Sequence, residues 1–383
     1  MAIPDWLHLS QLSGSGDTII TITADTNNDM LREYNLVVSG HTTSVTVPVV
    51  QRDMYSDKYL TFNITSPGDI KWKTSNQDVI NVIEYRINGG SWTTCTPSTA
   101  GTSINVTNGD VLQFRGDNDS YRYSSFSSAS TASFTANGNI MSLIDSTGFT
   151  TATTLNNSHA FFALFWNCTV LTDASGLVLP ATVLSDDCYN GMFYGCANLT
   201  KAPALPATVL TDGCYSSMFE ACTSLTTAPA LPCISVGVQS CNRMFYGCAN
   251  LTNAPTLPAT VLAEACYIDM FHNCISLSNA PALPATVLAN SCYSRMFQGC
   301  TSLTNAPVLS ASTLANYCYN YMFSGCTSLT SITCYATSIS ATNCTRGWVS
   351  NVSANGTFTK ASSMTNWTTG VNGIPSGWTV VNA

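Results

Sequence analysis

The sequence predicts a multidomain chain: two small all-β sandwiches, then a leucine-rich-repeat α/β solenoid, then a C-terminal β cap. Three observations carry this. Leu-Pro recurs at Leu179-Pro180, Leu205-Pro206, Leu231-Pro232, Leu257-Pro258 and Leu283-Pro284, and Leu309-Ser310 follows, so every step is 26 residues. A fixed period of about 20–29 residues with recurring Leu marks stacked leucine-rich repeats. Ahead of the array, apolar residues fall at every second position between Gly and Asn turns, the pattern of short antiparallel strands. Behind it the repeat pattern lapses into strand-like runs.

Composition bounds the function classes. The chain has 383 residues, enough for two or three domains, and 45% of them are hydrophobic. Only 9% are charged, and Ser, Thr, Asn and Gly fill the polar positions, as in repetitive β-rich extracellular or virion proteins. A net charge of −8 without clustered Lys and Arg argues against a nucleic-acid surface. No window approaches the roughly 20 apolar residues of a membrane span. The start, Met1-Ala-Ile-Pro-Asp-Trp6, has neither a basic nor an apolar leader region, so the chain as written is not addressed to the secretory pathway unless a leader has been removed.

Residues 1–53 contain the alternating Ile20, Ile22 and Ala24, the run Arg32 to Gly40, and Val45-Thr-Val47-Pro-Val49-Val-Gln51, and read as a small all-β module. The early Trp6, the Gly14-Ser-Gly16 turn, the aliphatic strand leading into Ala24-Asp-Thr-Asn-Asn28, the Arg opening the next strand and the closing Val-x-Val-x-x-x-Gln together resemble the BACON domain of Bacteroidetes. That resemblance implies an immunoglobulin-like fold, and a carbohydrate- or mucin-binding or spacer role. Asp25-Thr-Asn27-Asn-Asp29 looks like the opening of a calcium loop, but Met30 and Leu36 stand where such a loop has Gly and Glu; a turn is the preferred reading.

Residues 54–138 read as a second sandwich of the same kind, with strand-like runs at Tyr59–62, 70–72, 82–87, 91–93 and 111–114. Asn88-Gly89-Gly90 between two of them is a hairpin signal. Trp72, Trp92, Tyr121 and Tyr123 are candidates for a sugar-stacking face, set against the reading that such aromatics fill the core. Asp117-Asn-Asp119 is read as a solvated turn.

The array proper occupies residues 139–330. Phe161 to Cys168 is an irregular first copy, as the end of a stack requires. Within the best-preserved copy, Cys214, Met218 and Cys222 lie at i, i+4 and i+8 beside Tyr215 and Phe219, which predicts one apolar face on a short helix. Leu225 and Leu231 bracket a Pro-interrupted stretch, read as a clipped strand on the opposite wall. One such copy cannot fold alone, so stacking has to stabilise it. Of seventeen cysteines, one column holds Cys168, Cys196, Cys222, Cys248, Cys274, Cys300 and Cys326, and a second holds Cys188, Cys214, Cys266, Cys292, Cys318 and Cys344, with Cys241 one place late. Stacked like side chains run parallel, which suits free buried thiols acting as small hydrophobes better than disulfides. With no C-x-x-C and four scattered His, zinc is not expected.

Residues 331–383 read as the cap. Gly356-Thr-Phe358-Thr and Gly377-Trp378-Thr-Val-Val381 look like strands, and Trp348, Trp367 and Trp378 are expected to cover the last apolar layer. The Met-Phe-x-x-Cys-x-x-Leu repeat with this ending resembles the BspA-like leucine-rich repeats of gut Bacteroidetes and their phages. That resemblance implies a surface adhesin rather than a catalyst.

Positions that vary between copies include Arg243, Asp269, Arg295 and Tyr321. They are candidates for a ligand-facing surface, against the alternative of drift on an unconstrained face. No nucleophile–base set, phosphate loop or repeated carboxylate pair is present, so neither an enzyme nor a cofactor or metal is expected. The leading expectation is a fibre-like adhesion protein of a virion infecting Bacteroidetes, assembled in the host cytoplasm. One end would dock on other virion structural proteins and the other would bind host-surface or mucin glycans or proteins; homo-oligomerisation stays open. A bacterial cell-surface adhesin whose leader is missing and a purely structural decoration protein are the alternatives.

Overall fold

The computed structural model describes residues 58–383 apart from 77 and 127, and four strands of the preceding segment: Leu7–Leu9 (β1), Ile22–Ala24 (β2), Arg32–Ser39 (β3) and Ser44–Gln51 (β4). β1 pairs antiparallel with β2, and β3 with β4 from Arg32↔Gln51 to Ser39↔Ser44. Trp6, the Gly14–Gly16 turn and the Asp25–Asp29 loop lie outside the described residues.

From residue 58 onward the chain is largely β, with no α-helix among the described residues. Leu60–Ile64 (β5), Gly68–Thr74 (β6), Ile83–Ile87 (β7), Thr93–Cys95 (β8), Thr102–Val106 (β9), Val111–Arg115 (β10), Ser124–Phe126 (β11) and Phe134–Asn139 (β12) form two facing sheets. One has the order β12-β5-β10-β7-β8 and the other β11-β6-β9. The Asn88-Gly-Gly hairpin joins β7 to β8, with Asn88 and Gly89 both at positive φ (52° and 72°), the backbone a tight primed turn demands. Between the sheets Phe62 meets Phe114, Phe126 and Phe134 at centroid distances of 4.1–4.8 Å, and Trp72 and Tyr121 lie among them fully buried.

This sheet does not stop at residue 138. β12 runs on to Asn139 and pairs parallel with Leu171–Val178 (β13), the first strand of the periodic region. The aromatic core runs on too: Tyr121 stacks on Phe161 and Phe126 on Phe165, while the Tyr121 and Phe126 amides donate to Ala160 O and Leu164 O. The sandwich thereby covers the open end of the first copy.

In place of the expected short helix, each copy folds as a run of β-turns. Residues at every fourth position take a left-handed backbone: Asp187, Gly191 and Gly195 in one copy, Gly213, Ser217 and Ala221 in the next. The triplet recurs from His159, Ala163 and Asn167 to Asn343, Gly347 and Asn351, with φ between 50° and 79°. An α-helix cannot contain such residues. Amides alternate in consequence. Asn190, Met192, Tyr194 and Cys196 donate three residues back, closing turns, whereas Tyr189, Gly191, Phe193 and Gly195 donate to Cys214, Ser216, Met218 and Glu220 of the following copy at 2.7–3.1 Å. The apolar stripe survives because its spacing of four matches the turn period: Cys214, Tyr215, Met218, Phe219 and Cys222 are all buried.

Stacking at fixed register turns the sequence columns into physical ones. Phe165, Phe193, Phe219, Phe245, Phe271, Phe297 and Phe323 form a file with centroids 5.4–5.9 Å apart and planes within 9°. Aromatic pairs of this kind add about 0.5–1.5 kcal/mol beyond burial. All seventeen cysteines are free and buried. The thiols of Cys196, Cys222, Cys248, Cys274, Cys300 and Cys326 sit 3.0–3.1 Å from the carbonyl oxygens of Phe165, Phe193, Phe219, Phe245, Phe271 and Phe297 of the preceding copy. Cysteine here is a core filler that also donates a weak hydrogen bond.

The opposite wall is a parallel sheet reduced by proline. Single bridges link Thr227, Asn253, Asn279 and Asn305 at steps of 26 residues, because a proline amide cannot donate to a ladder. Full strands follow toward the C-terminus: Asn305–Leu309 (β14), which still contains Pro307 and pairs with a register shift around it, and then the proline-free Ser331–Cys334 (β15), Thr357–Lys360 (β16) and Thr379–Asn382 (β17), all parallel and in that order. The C-terminal segment thus continues the sheet of the array. Trp348 closes the Phe file against Phe323 at 6.2 Å and also stacks on Tyr319 at 6.3 Å, and Trp367 stacks on Trp348 at 5.6 Å.

Two outcomes follow. Ala221 has φ 59°, so Ala221→Gly relieves left-handed strain and is expected to raise unfolding stability by about 0.5–1 kcal/mol in urea titration. In a helix the same change would lower it by about 1 kcal/mol. Burial pushes the Cys168, Cys248 and Cys326 thiols up to about 12, so at pH 8 their thiolate fraction falls ~1,000-fold below that of a thiol at its ordinary value. Alkylation of the native chain should leave these columns unmodified, and denaturation without reductant should expose all seventeen as free thiols.

Candidate functional site

The turn ladder presents two side-chain columns outward from each copy, one at the central left-handed residue and one three places later. The first contains Ala163, Gly191, Ser217, Arg243, Asp269, Arg295, Tyr321 and Gly347; the second contains Trp166, Tyr194, Glu220, Tyr246, His272, Gln298 and Ser324. The buried stripe between them is held nearly constant, so differences between copies collect on this face.

The candidate residues of this face bind one another across copies. Arg243 Nε donates to Glu220 Oε2 at 2.9 Å, and its guanidinium lies 4.1 Å from the Tyr246 ring centroid. Tyr246 meets the His272 ring at 4.6 Å, and His272 Nδ1 is 2.8 Å from Asp269 Oδ1. Arg295 grips the same carboxylate with Nε and Nη2, both at 3.0 Å to one oxygen each. Arg243 and Arg295 remain about 40% exposed, whereas the Glu220 and Asp269 side chains are only 6% and 7% exposed. Asp269 is therefore corrected from a ligand-facing residue to a buried counter-ion, with the two arginines and the half-buried Tyr321 left on the surface. Burial pushes the Asp269 carboxyl up, but the hydrogen bonds and charges of His272 and Arg295 outweigh it and hold the group below the usual carboxylate value.

At the N-terminal end of the row, Trp166 stacks on Tyr194 with centroids 3.8 Å apart and planes 5° from parallel. Gly191 makes this fit, since a Cβ there would lie 3.1 Å from the indole. Near the other end Gly347 lies under the Tyr321 ring in the same way, and Arg346 sits over that ring.

Of the four aromatics expected on a stacking face of the second domain, Trp72 and Tyr121 are fully buried. The Trp72 indole donates to Asn81 O and the Tyr121 hydroxyl to Leu143 O, so they are core residues with their polar atoms satisfied. Trp92 and Tyr123 stay half-buried at the surface. Trp92 is covered by the guanidinia of Arg115 and Arg86 at 4.4 and 4.7 Å. Tyr123 borders a cleft of about 370 Å³ that it shares with Phe162 and Trp166.

A separate line of exposed valines runs along the array at Val183, Val209, Val261 and Val287, with Ile234 beside the place of the missing member. Among the described residues no group of three or more His, Cys, Asp or Glu is placed to hold a metal, and no helix is long and apolar enough to cross a membrane. The varying positions singled out from the sequence belong to the first outward column only. The second, from Trp166 to His272, varies just as visibly between copies but lies beside the Met-Phe pair and was absorbed into the expected helix.

No family model matches the chain, and no curated protein matches it.

The pair at Asp269 gives a pH test. A depressed folded-state value adds stability that is present above the unfolded carboxylate value near 3.9 and lost as pH falls through the folded one. Asp269→Asn should destabilise by about 1–3 kcal/mol at pH 7, with the difference from wild type starting to shrink below about pH 4 and lost only as the pH falls through the depressed folded value.

Proposed function

We propose that the chain is a non-enzymatic, fibre-like adhesion protein of a virion infecting Bacteroidetes, assembled in the host cytoplasm. Its outer row would bind host-surface or mucin glycans or proteins while another part docks on virion structural proteins. The supporting observation is the division of labour within each copy: a nearly invariant buried stripe carries two outward columns whose aromatics and guanidinia differ from copy to copy and are pinned by neighbours. A rigid frame with a varied polar and aromatic face suits recognition, because little side-chain entropy is left to lose on binding. The BACON-like start and the BspA-like repeat agree with this reading. A bacterial cell-surface adhesin would use the same face.

The second reading, a decoration protein that binds nothing external, is favoured by the exposed valine line, since a row of apolar side chains at fixed spacing suits contact with another protein of the assembly.

Attachment of the labelled full chain to Bacteroidetes cells or immobilised mucin tests the first reading. Tyr246→Ser with Tyr321→Ser leaves both carboxylate pairs in place and is expected to weaken attachment at least tenfold while the chain stays folded at the assay temperature, its unfolding midpoint lowered only by the loss of the ring contacts to Arg243, His272 and Gly347. Val261→Ser with Val287→Ser is expected to leave attachment unchanged. Attachment indifferent to the tyrosines, with the valine variant lost from gold-labelled particles, would favour the decoration reading instead.

A further inference from the structure

We propose that the cleft where the second sheet meets the first copy of the array binds a saccharide bearing an acidic group, a uronate or a sulfated sugar. This names a ligand class within the adhesive reading and rests on that reading for its biological use. The cleft, about 370 Å³, is lined by Lys73, Arg122, Tyr123, Ser125, Phe162 and Trp166 among others, a size within the range of small-ligand sites.

Two independent features point to this chemistry. The first is a fixed aromatic platform. Trp166 is 39% exposed, yet its ring cannot swing freely: Tyr194 stacks on it at 3.8 Å and Gly191 holds the backbone beneath it. A flat, immobilised and partly bare indole presents the kind of surface on which the apolar face of a pyranose packs. Ala163, also in the lining, occupies the column where later copies carry Arg243, Asp269, Arg295 and Tyr321. The floor is open because that side chain is small.

The second feature is charge. The chain has 13 basic against 21 acidic residues, but Lys73 and Arg122 both line this cleft and its described lining contains no carboxylate. The Arg122 guanidinium lies 5.5 Å from the Tyr123 ring centroid, which orients the cation without neutralising it. Serine hydroxyls on the same wall can donate to or accept from ring hydroxyls. A neutral sugar would use the platform and the serines and leave two cations idle; a free inorganic anion would use the cations and leave the platform idle. An acidic saccharide uses both.

The test is a titration of the full chain, followed by ligand-observed NMR, with methyl glucuronide, the 6-sulfate of methyl galactoside, neutral methyl galactoside and inorganic sulfate. Both acidic glycosides are expected to bind at least tenfold more tightly than the neutral one, and more weakly as salt rises. Lys73→Gln with Arg122→Gln, at half-buried and exposed positions, should abolish that preference, and Trp166→Ala should weaken every glycoside. Equal affinity for acidic and neutral glycosides, a preference surviving the double substitution, or displacement of the glycosides by sulfate at equal concentration would each overturn the proposal. Failure here leaves the outer-row attachment assay untouched, whereas failed attachment with an intact titration counts against the adhesive reading alone.

Discussion

Everything in the periodic region depends on where its backbone amides go. In an α-helix each amide finds its acceptor within the same segment. In the turn ladder only every second amide does so, and the others, such as those of Tyr189, Gly191, Phe193 and Gly195, reach the carbonyls of the next copy. A copy without a following neighbour would leave these amides to water and forfeit about 0.5–1.5 kcal/mol of net stabilisation for each bond lost, and a non-matching neighbour that buried them unpaired would cost more. The copies therefore stabilise one another through the main chain first, and side-chain packing acts on a register already set.

That register explains the side chains. Rings stacked 5.4–5.9 Å apart need identical residues at identical places, hence the unbroken Phe file. The ends need different solutions because the repetition stops there. At one end Tyr121 and Phe126 of the sandwich supply the missing rings; at the other the larger Trp348 and Trp367 do so. The left-handed positions accept Gly, Asn and Asp at low cost, and other residues only with strain. Where Arg243, Arg295 or Tyr321 occupies one instead, the side chain offsets the strain through a carboxylate pair or by lying over a neighbouring residue. The face that varies is thus also the face that ties adjacent copies together.

Much of this was legible in the sequence. The 26-residue step, the buried columns, the Asn-Gly-Gly hairpin and the strands near Phe358 and Val381 all come from periodicity and turn chemistry. The helix did not survive, because an apolar stripe at i, i+4 and i+8 is common to an α-helix and to a chain of four-residue turns. The discriminating signal was Gly or Asn at every fourth place, as in Gly191 and Gly195 or Asn343, Gly347 and Asn351, and Arg243 and Tyr321 masked it by standing in the same column. Strands such as Thr102–Val106 and Ser124–Phe126 escaped notice because Ser, Thr and Asn dominate them. The burial of Trp72 and Tyr121 depends on a neighbouring sheet and on the first copy of the array, contacts that no local pattern encodes. The same holds for the Trp166 cleft, whose walls are separated in sequence and meet only when β12 pairs with β13.

Native-state hydrogen exchange tests the shared main-chain ladder most directly. The account predicts that amides directed to the next copy, such as Tyr215, Ser217 and Phe219, and those closing turns, such as Ser216, Met218 and Glu220, exchange with one common opening free energy. That value should extend from the Tyr189 copy to the Tyr319 copy. If the turn-closing amides of single copies stay protected while the inter-copy amides exchange freely, each copy is a self-sufficient helix-like segment and the account is wrong.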